Sequence, residues 1–167
     1  FLAFTNTTQD YTSVSPVTVV NFPVEFYDNN NSYSDPTFEA GINGNYQFSV
    51  NIEYDILNFN LAADARFVTF KVYKNGVQFD VNNIIQNYTF DLTGLTTGAL
   101  SFTTPLIPLL TNDEIEIYVV YTESASGIQT FRIKSSSQSR FQLLQGPSVL
   151  IGGNVNLAPI YRDLSIS

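Results

Sequence analysis

The stretch that decides the fold runs from Val19 to Tyr54 and reads VVNFPVEFYDNNNSYSDPTFEAGINGNYQFSVNIEY. Its first half breaks at the turn-forming run DNNNS, residues 28–32. In its second half, apolar or aromatic side chains take the even positions 46–54, and polar side chains take the odd positions between them. This two-residue period predicts a strand with one buried face and one solvated face.

The same period recurs along the rest of the chain. Residues 68–72 alternate and lead into Asn75-Gly76, a pair typical of a two-residue hairpin loop. Residues 115–121 alternate as well, and two prolines within 100–110 predict an edge strand or a bulge there. Residues 141–144 predict a closing strand. Because no segment has a sustained helical period, we predict an all-β fold, an antiparallel β-sandwich of the jelly-roll type.

Composition excludes several kinds of chemistry. The 167 residues are enough for one domain with a substantial core. The chain has no Cys and no His, which excludes disulfides, ordinary zinc or copper sites, and Ser-His-Asp or Cys-His catalysis. It also has no Met, even at position 1, which indicates a processed product or a piece of a longer protein. Neither a signal peptide nor an apolar run of membrane-spanning length is visible.

The charge balance argues against nucleic acid and membranes as partners. The net charge is −8, whereas nucleic-acid-binding domains normally carry a basic patch. The mild basic clustering of Arg132, Lys134 and Arg140 is best interpreted as a solvated strand end. An acidic chain is also repelled by anionic lipid surfaces. We therefore expect neither nucleic-acid binding nor membrane insertion.

Aromatic, acidic and glycine residues of the opening stretch have a distinctive spacing. Five residues separate Phe22 from Asp28, four separate Asp28 from Tyr33, and five separate Phe38 from the run Gly44–Val50, GNYQFSV. This pattern resembles the signature of the globular head of complement C1q, one of the tumour-necrosis-factor-like jelly rolls. It departs from that signature in two places: only four residues separate Tyr33 from Phe38, and Val50 stands where the signature has an aromatic residue.

The resemblance covers roughly residues 1–150 and implies a domain that binds rather than catalyses, usually as a compact homotrimer. Residues 151–167 lie beyond it, and we expect them to be an extension or a linker to a further part of a longer protein. Independently of the family, Gly44 is expected to allow a tight or left-handed turn. The large aromatic residues of the stretch are expected in the core, namely Phe22, Phe38, Tyr46 and Phe48.

The most polar loop of the opening stretch is the first candidate binding site, because loops carry function on rigid β scaffolds. Its oxygen-bearing side chains suit calcium or sugar hydroxyls, and the tyrosines on either side suit stacking on a sugar ring. The structural alternative is that Asn and Asp are simply frequent in turns. The candidate ligand-binding residues are Tyr27, Asp28, Asn29, Asn30, Asn31, Tyr33 and Asp35.

Three further groups of polar residues are candidate sites. Asp80, Asn82 and Asn83 form a second candidate ligand-binding group beyond the hairpin, and residues 112–114 are expected to form the turn that opens a strand. Glu114 and Glu116 share a strand face ~7 Å apart, near glycosidase separations, but that face is the solvated one. We therefore expect no catalytic residues and no enzyme. No loop has EF-hand spacing, so calcium stays a candidate ion and no other cofactor is expected.

Three functions fit these observations. The first is a non-catalytic binding or adhesion head on a phage or bacterial surface structure, which recognises a host-surface glycan or polymer. The second is a purely structural jelly roll of a virion or surface assembly, and the third is an accessory module of a polysaccharide-active enzyme. The first two place the chain extracellularly, on a virion or on a cell surface. The fold alone does not decide between them.

Overall fold

The computed structural model describes residues 1–28, 31–58, 65–81, 84–124 and 128–147. Within these ranges the chain forms strands and turns but no helix, and hence no helix that could span a membrane. The strands in chain order are β1 (Leu2–Thr5), β2 (Gln9–Thr12), β3 (Thr18–Val19), β4 (Val24–Tyr27), β5 (Tyr33–Ser34), β6 (Thr37–Glu39), β7 (Gly44–Leu57), β8 (Arg66–Lys74), β9 (Val77–Gln78), β10 (Asp80–Val81), β11 (Ile84–Ile85), β12 (Asn87–Asp91), β13 (Thr97–Thr103), β14 (Ile107–Leu109), β15 (Glu114–Glu123), β16 (Thr130–Ile133) and β17 (Ser136–Gln145).

Two antiparallel sheets form the sandwich. In the first sheet the order is β4, then β1 with β2, then β17 with β16, then β7, and finally β13 with β14 at the far edge. In the second sheet, β3 and the β5–β6 pair lie beside β15, followed by β8 and then by β12 and β9. Strands β10 and β11 form a separate two-stranded ribbon.

This order is that of a jelly roll. When β4 is set aside as an additional edge strand beside β1 in the first sheet, the main strands fall into eight positions in chain order: β1–β2, β3 with β5–β6, β7, β8, β12, β13–β14, β15 and β16–β17. The first sheet then reads 1-8-3-6 and the second reads 2-7-4-5, the arrangement of two wound Greek keys. The predicted all-β antiparallel jelly roll is therefore confirmed. The order is common to jelly rolls and does not single out the C1q-like ones.

The sandwich core is rich in aromatic side chains at the end where the signature residues lie. Phe38 and Phe48 meet edge to face, with their ring centroids 5.0 Å apart. Phe1 stacks on Tyr33 at 4.9 Å and meets Phe141 at 5.0 Å. Each such ring buries ~150–250 Å², so this cluster stabilises a domain that has no disulfide. The four aromatic residues predicted to be in the core are all buried: Phe22, Phe38, Tyr46 and Phe48.

Gly44 begins β7, but not for the reason predicted. It is not among the residues with a positive φ angle, so no left-handed turn requires it. A Cβ atom added at this position would lie 2.4 Å from the Cβ of Pro147. The expectation of a left-handed turn is wrong, because the requirement for glycine comes from the close approach of Pro147, which follows β17.

Two predicted turn and edge features are present. Asn75 and Gly76 have φ angles of 52° and 73°, as a primed hairpin turn requires. The proline-containing run forms the edge strand β14, where Pro108 lacks an N–H and its carbonyl accepts a hydrogen bond of 3.1 Å from Lys74 Nζ. Residues 151–167 lie outside the described residues, so the predicted linker stays a prediction.

Candidate functional site

The first predicted loop joins β4 to β5 and is closed by one of its own carboxylates. Asp28 Oδ2 accepts a hydrogen bond of 2.6 Å from the backbone N–H of Tyr33. Asn31 has a φ angle of 52°, a left-handed conformation that Asn tolerates better than most residues. Asn29, Asn30 and the side chain of Tyr27 lie outside what the structure describes. Turn formation thus accounts for part of the Asp and Asn content of this loop.

Asp35 ties the loop to the start of the opening stretch. Its Oδ1 accepts hydrogen bonds from the Phe22 backbone N–H at 2.6 Å and from the Tyr33 hydroxyl at 3.1 Å. The aspartate that sequence reasoning assigned to a ligand therefore also holds two core segments together. Asp35 remains exposed, so a ligand could still reach its carboxylate.

Tyr33 is a core residue and not an exposed aromatic platform. Its side chain is 6% exposed, and its ring stacks on Phe1. Burial, followed by the negative charge of Asp35, raises the pKa of its hydroxyl. The expectation that Tyr33 stacks on a sugar is wrong for this reason, since no open ring face is left for a ligand.

An open polar cleft of about 390 Å³ adjoins this loop. The cleft brings Asn31 and Asp35 of the predicted group together with two carboxylates that sequence reasoning did not connect with them, Glu39 and Glu114. These two residues face each other across the β6–β15 pair. No local signal could reveal the pair, because only the sheet register brings the two strands together. The residues that line the cleft are Asn31, Ser32, Tyr33, Ser34, Asp35, Thr37, Glu39 and Glu114.

The cleft is a hydrogen-bonding surface with acidic character. Its hydroxyl, amide and carboxylate oxygens can accept hydrogen bonds from sugar hydroxyls, and its hydroxyl and amide groups can donate. Among the described residues, no group of three or more carboxylates is placed to hold a metal ion. Calcium therefore receives no support from the geometry of this part of the chain.

The second predicted group is not near the cleft. Asp80 lies on β10 beyond the β8–β9 hairpin, and the order of the second sheet places β8 and β15 between that side and the β5–β6 pair. Asp80 is exposed, whereas Asn82 and Asn83 lie outside the described residues. The structure therefore places Asp80 on the ribbon beyond the β9–β12 side of the second sheet, whereas the cleft lies at its β5–β6 side.

The third group forms a turn, as expected. Asp113 accepts hydrogen bonds of 2.7 Å from Lys74 Nζ, Asn75 Nδ2 and the Leu110 backbone N–H. These hydrogen bonds, that of Lys74 first, lower the pKa of the Asp113 carboxyl to about 2. Asn112 beside it has a φ angle of 69°. The network ties the loop before β15 to the hairpin after β8.

Glu114 and Glu116 lie on the outer face of β15, as the alternation predicts. Glu116 accepts hydrogen bonds of 3.4 Å from the hydroxyls of Thr37 and Tyr118, and Glu114 lines the open cleft. The two carboxylates therefore do not share an enclosed pocket in the described structure.

Comparison with known proteins gives distant structural similarities. No family model and no curated protein matches the chain. A chain of the honeybee sacbrood virus in its expansion state II is 13% identical, with a TM-score of 0.34, over 98% of this chain and 95% of that one. Another sacbrood virus chain gives the same identity and TM-score, over 98% of this chain and 78% of that one. A chain of a marine algae virus of the order Picornavirales is 12% identical, with a TM-score of 0.27, over 88% of this chain and 67% of that one. At such TM-scores the similarity supports no inference, so the fold rests on the strand order.

Proposed function

We propose that this chain is a non-catalytic jelly-roll building block of a virion or of another extracellular or cell-surface structure, and that its copies assemble as a homotrimer. Jelly rolls build viral capsids as well as lectins, which supports the proposal by analogy of fold. The observation that carries the proposal is a partly exposed apolar flank on one side of the sandwich. Such a surface is what association between subunits buries.

The flank lies where the edge strands β12 and β13 meet. Tyr88 of β12 stacks on Phe102 of β13, with ring centroids 4.1 Å apart, so the two edges face each other. Four side chains pack on the core there and stay partly exposed, and we call them the aromatic flank: Phe79, Tyr88, Phe90 and Leu100. A second copy that covered the exposed remainder of these side chains would remove further apolar area from water.

The proposed non-catalytic role rests on composition and on the position of the carboxylates. Without His or Cys, the common nucleophile–base pairs are excluded. The carboxylates of Glu114 and Glu116 lie on the outer face of their sheet. The C1q-like signature adds the expectation of three-fold assembly.

The solution mass tests this proposal. Light scattering on a size-exclusion column should give about three times the 18.6 kDa chain mass. Phe90→Lys should lower that mass, because it places a charge in the aromatic flank. Val14→Lys is a matched control, since Val14 is exposed and lies outside the flank. A wild-type monomer across the concentration range would overturn self-assembly, and thermal unfolding of both variants would show that they are folded.

A second candidate function is recognition of a host-surface glycan in the cleft beside β5 and β6. The observation that favours it is the concentration of hydroxyl, amide and carboxylate side chains around one open cavity. Because Tyr33 is buried, such a site would recognise its ligand by hydrogen bonds without stacking on that ring. A glycan array followed by NMR titration should shift the resonances of Asn31, Ser34 and Glu39. Shifts confined to other regions, or none with any glycan, would refute this candidate and leave the structural role.

A further inference from the structure

We propose that Arg140 of one copy pairs with Asp80 of a neighbouring copy, so that the depression around Arg140 is a carboxylate-binding site in the subunit interface. The inference rests on the proposed self-assembly and names the polar contact that would fix its geometry. It follows from two charged side chains that have no partner among the described residues and that adjoin complementary surfaces.

Arg140 differs from the other two residues of the basic cluster. Arg132 forms a salt bridge of 2.6 Å with Asp10, and Lys134 lies 3.6 Å from Asp55. In the described part of the chain, Arg140 makes no side-chain hydrogen bond or ion pair, and its Nε is shielded from solvent without an acceptor. A shielded guanidinium donor without an acceptor is unfavourable, and a carboxylate would satisfy it.

The surroundings of Arg140 form a receptive surface on the outer face of the first sheet. It lines an open depression of about 210 Å³ together with Asn51, Ser101 and Gln138, whose side chains offer further donors, and the depression borders the aromatic flank at Leu100. On its other side it lies opposite Phe4 of β1, a partly exposed aromatic residue. A charged group bordered by an apolar one suits contact with the aromatic flank of another copy.

One feature of the depression opposes an incoming carboxylate. Glu53 also lines it but forms no ion pair with Arg140 in the described structure. Its negative charge would repel a carboxylate from a second copy. Neutralising Glu53 should therefore strengthen the proposed contact.

Asp80 directly follows Phe79 of the aromatic flank. It is exposed and makes no side-chain hydrogen bond or ion pair in the described structure. Asp80 therefore presents a free carboxylate at the border of the surface through which the copies are proposed to associate. In a chain of net charge −8, a second copy is also a partner that is rich in acidic groups.

The two side chains lie at similar heights along the sandwich. Tyr88 pairs with Phe70 on β8 and stacks on Phe102, which pairs with Val50 on β7, so residues 70 and 50 lie within a few residues of the same height. Arg140 pairs with Asn51, one residue from that level. The backbone N–H of Phe79 bonds to Val72 O at 2.8 Å, which places Asp80 close to the same level.

This common height matters in a cyclic assembly. When the rotation axis runs along the strands, rotation preserves height, so groups that touch across the interface must lie level with each other. The flank of one copy would then meet the outer sheet face of the next, in a heterologous contact that can close into a ring.

Charge reversal with rescue tests the pair. The solution masses and dissociation constants of the full chain would be measured by sedimentation at low and at high salt. Arg140→Asp and Asp80→Arg should each weaken association by about tenfold or more at low salt, and salt should reduce the difference. The double variant R140D/D80R should recover most of the loss, and Glu53→Gln should tighten association.

Matched reversals control for net charge. Lys71 lies on the outer face of the second sheet, and Glu25 lies on β4, at the edge of the first sheet away from β13. Neither Lys71→Glu nor Glu25→Arg should therefore change the solution mass. A wild-type oligomer whose association is unchanged in R140D, or that the double variant does not rescue, would overturn the pair and leave self-assembly standing. A wild-type monomer would overturn both.

Discussion

The same substitution at two glutamines should change stability in opposite directions. Gln129 is 1% exposed, and neither its Nε2 nor its Oε1 has a hydrogen-bond partner among the residues that the structure describes. Gln9 uses its whole amide: Nε2 donates to Asn21 O at 2.8 Å, and Oε1 accepts from Asn21 N at 2.9 Å. Gln→Met keeps the unbranched shape and removes the amide, so it isolates the effect of hydrogen bonding.

The expected magnitudes follow from the cost of unpaired buried groups, about 1–3 kcal/mol each. Gln129→Met removes such groups and should raise the free energy of unfolding by about 1–2 kcal/mol. Gln9→Met leaves the backbone N–H and C=O of Asn21 without their partners and should lower it by about 2–4 kcal/mol. For a domain of this size, each kcal/mol shifts Tm by about 2–4 °C.

Urea unfolding followed by fluorescence or circular dichroism would measure both variants, with similar m-values as evidence that the unfolding reaction is unchanged. The reasoning is refuted if Gln129→Met destabilises the protein as much as Gln9→Met. That result would mean that the Gln129 amide has a hydrogen-bond partner in solution.

Three further perturbations test local features. Asp113→Asn should lower the free energy of unfolding by about 1 kcal/mol at neutral pH, after allowance for solvent screening. The pKa of this carboxyl is lowered from 3.8 to about 2, so its contribution to stability is present above pH 3.8 and is lost as pH falls towards 2. The free energies of unfolding of wild type and variant should therefore converge in acid. A difference that stays constant with pH would contradict this explanation. Gly44→Ala should lower stability by about 1–3 kcal/mol through overpacking against Pro147, and P147G in the same chain should restore it if that contact is the cause. Glu39→Lys should stabilise the protein by about 0.2–1 kcal/mol, because it removes the repulsion between Glu39 and Glu114 on the opposite strand. If the difference in thermal stability between variant and wild type did not change with salt, that explanation would be contradicted.

Most of the sandwich could be predicted from sequence, because a strand with one buried face alternates apolar and polar residues with a two-residue period. The run around Phe48 and Val50 shows this, and so does the hairpin at Asn75-Gly76, whose residue types match the backbone angles that the turn needs. The reason for Gly44 could not be predicted. The residue that leaves no room for a side chain at Gly44 is Pro147. The sequence around Gly44 cannot indicate a contact with a residue so far along the chain.

The candidate site was only partly predictable, for a related reason. Asn31 and Asp35 are visible as a polar loop, but the same residue types also build turns, and the structure uses Asp28 and Asp35 in that way. Tyr33 looks like a loop aromatic and is a core residue, because its ring belongs to the buried face of a two-residue strand. Glu39 and Glu114 meet through sheet register alone.

The edge strand β14 has a consequence for how such a protein can be packed at high density. An unprotected strand edge can recruit further strands and grow into amyloid-like stacks. Here Pro108 offers no N–H, and the amine of Lys74 occupies its carbonyl, so a strand cannot add in register at that point. Copies that meet at this edge would therefore do so through their side chains and not through a shared backbone ladder. Association of that kind can stop at a fixed number of subunits.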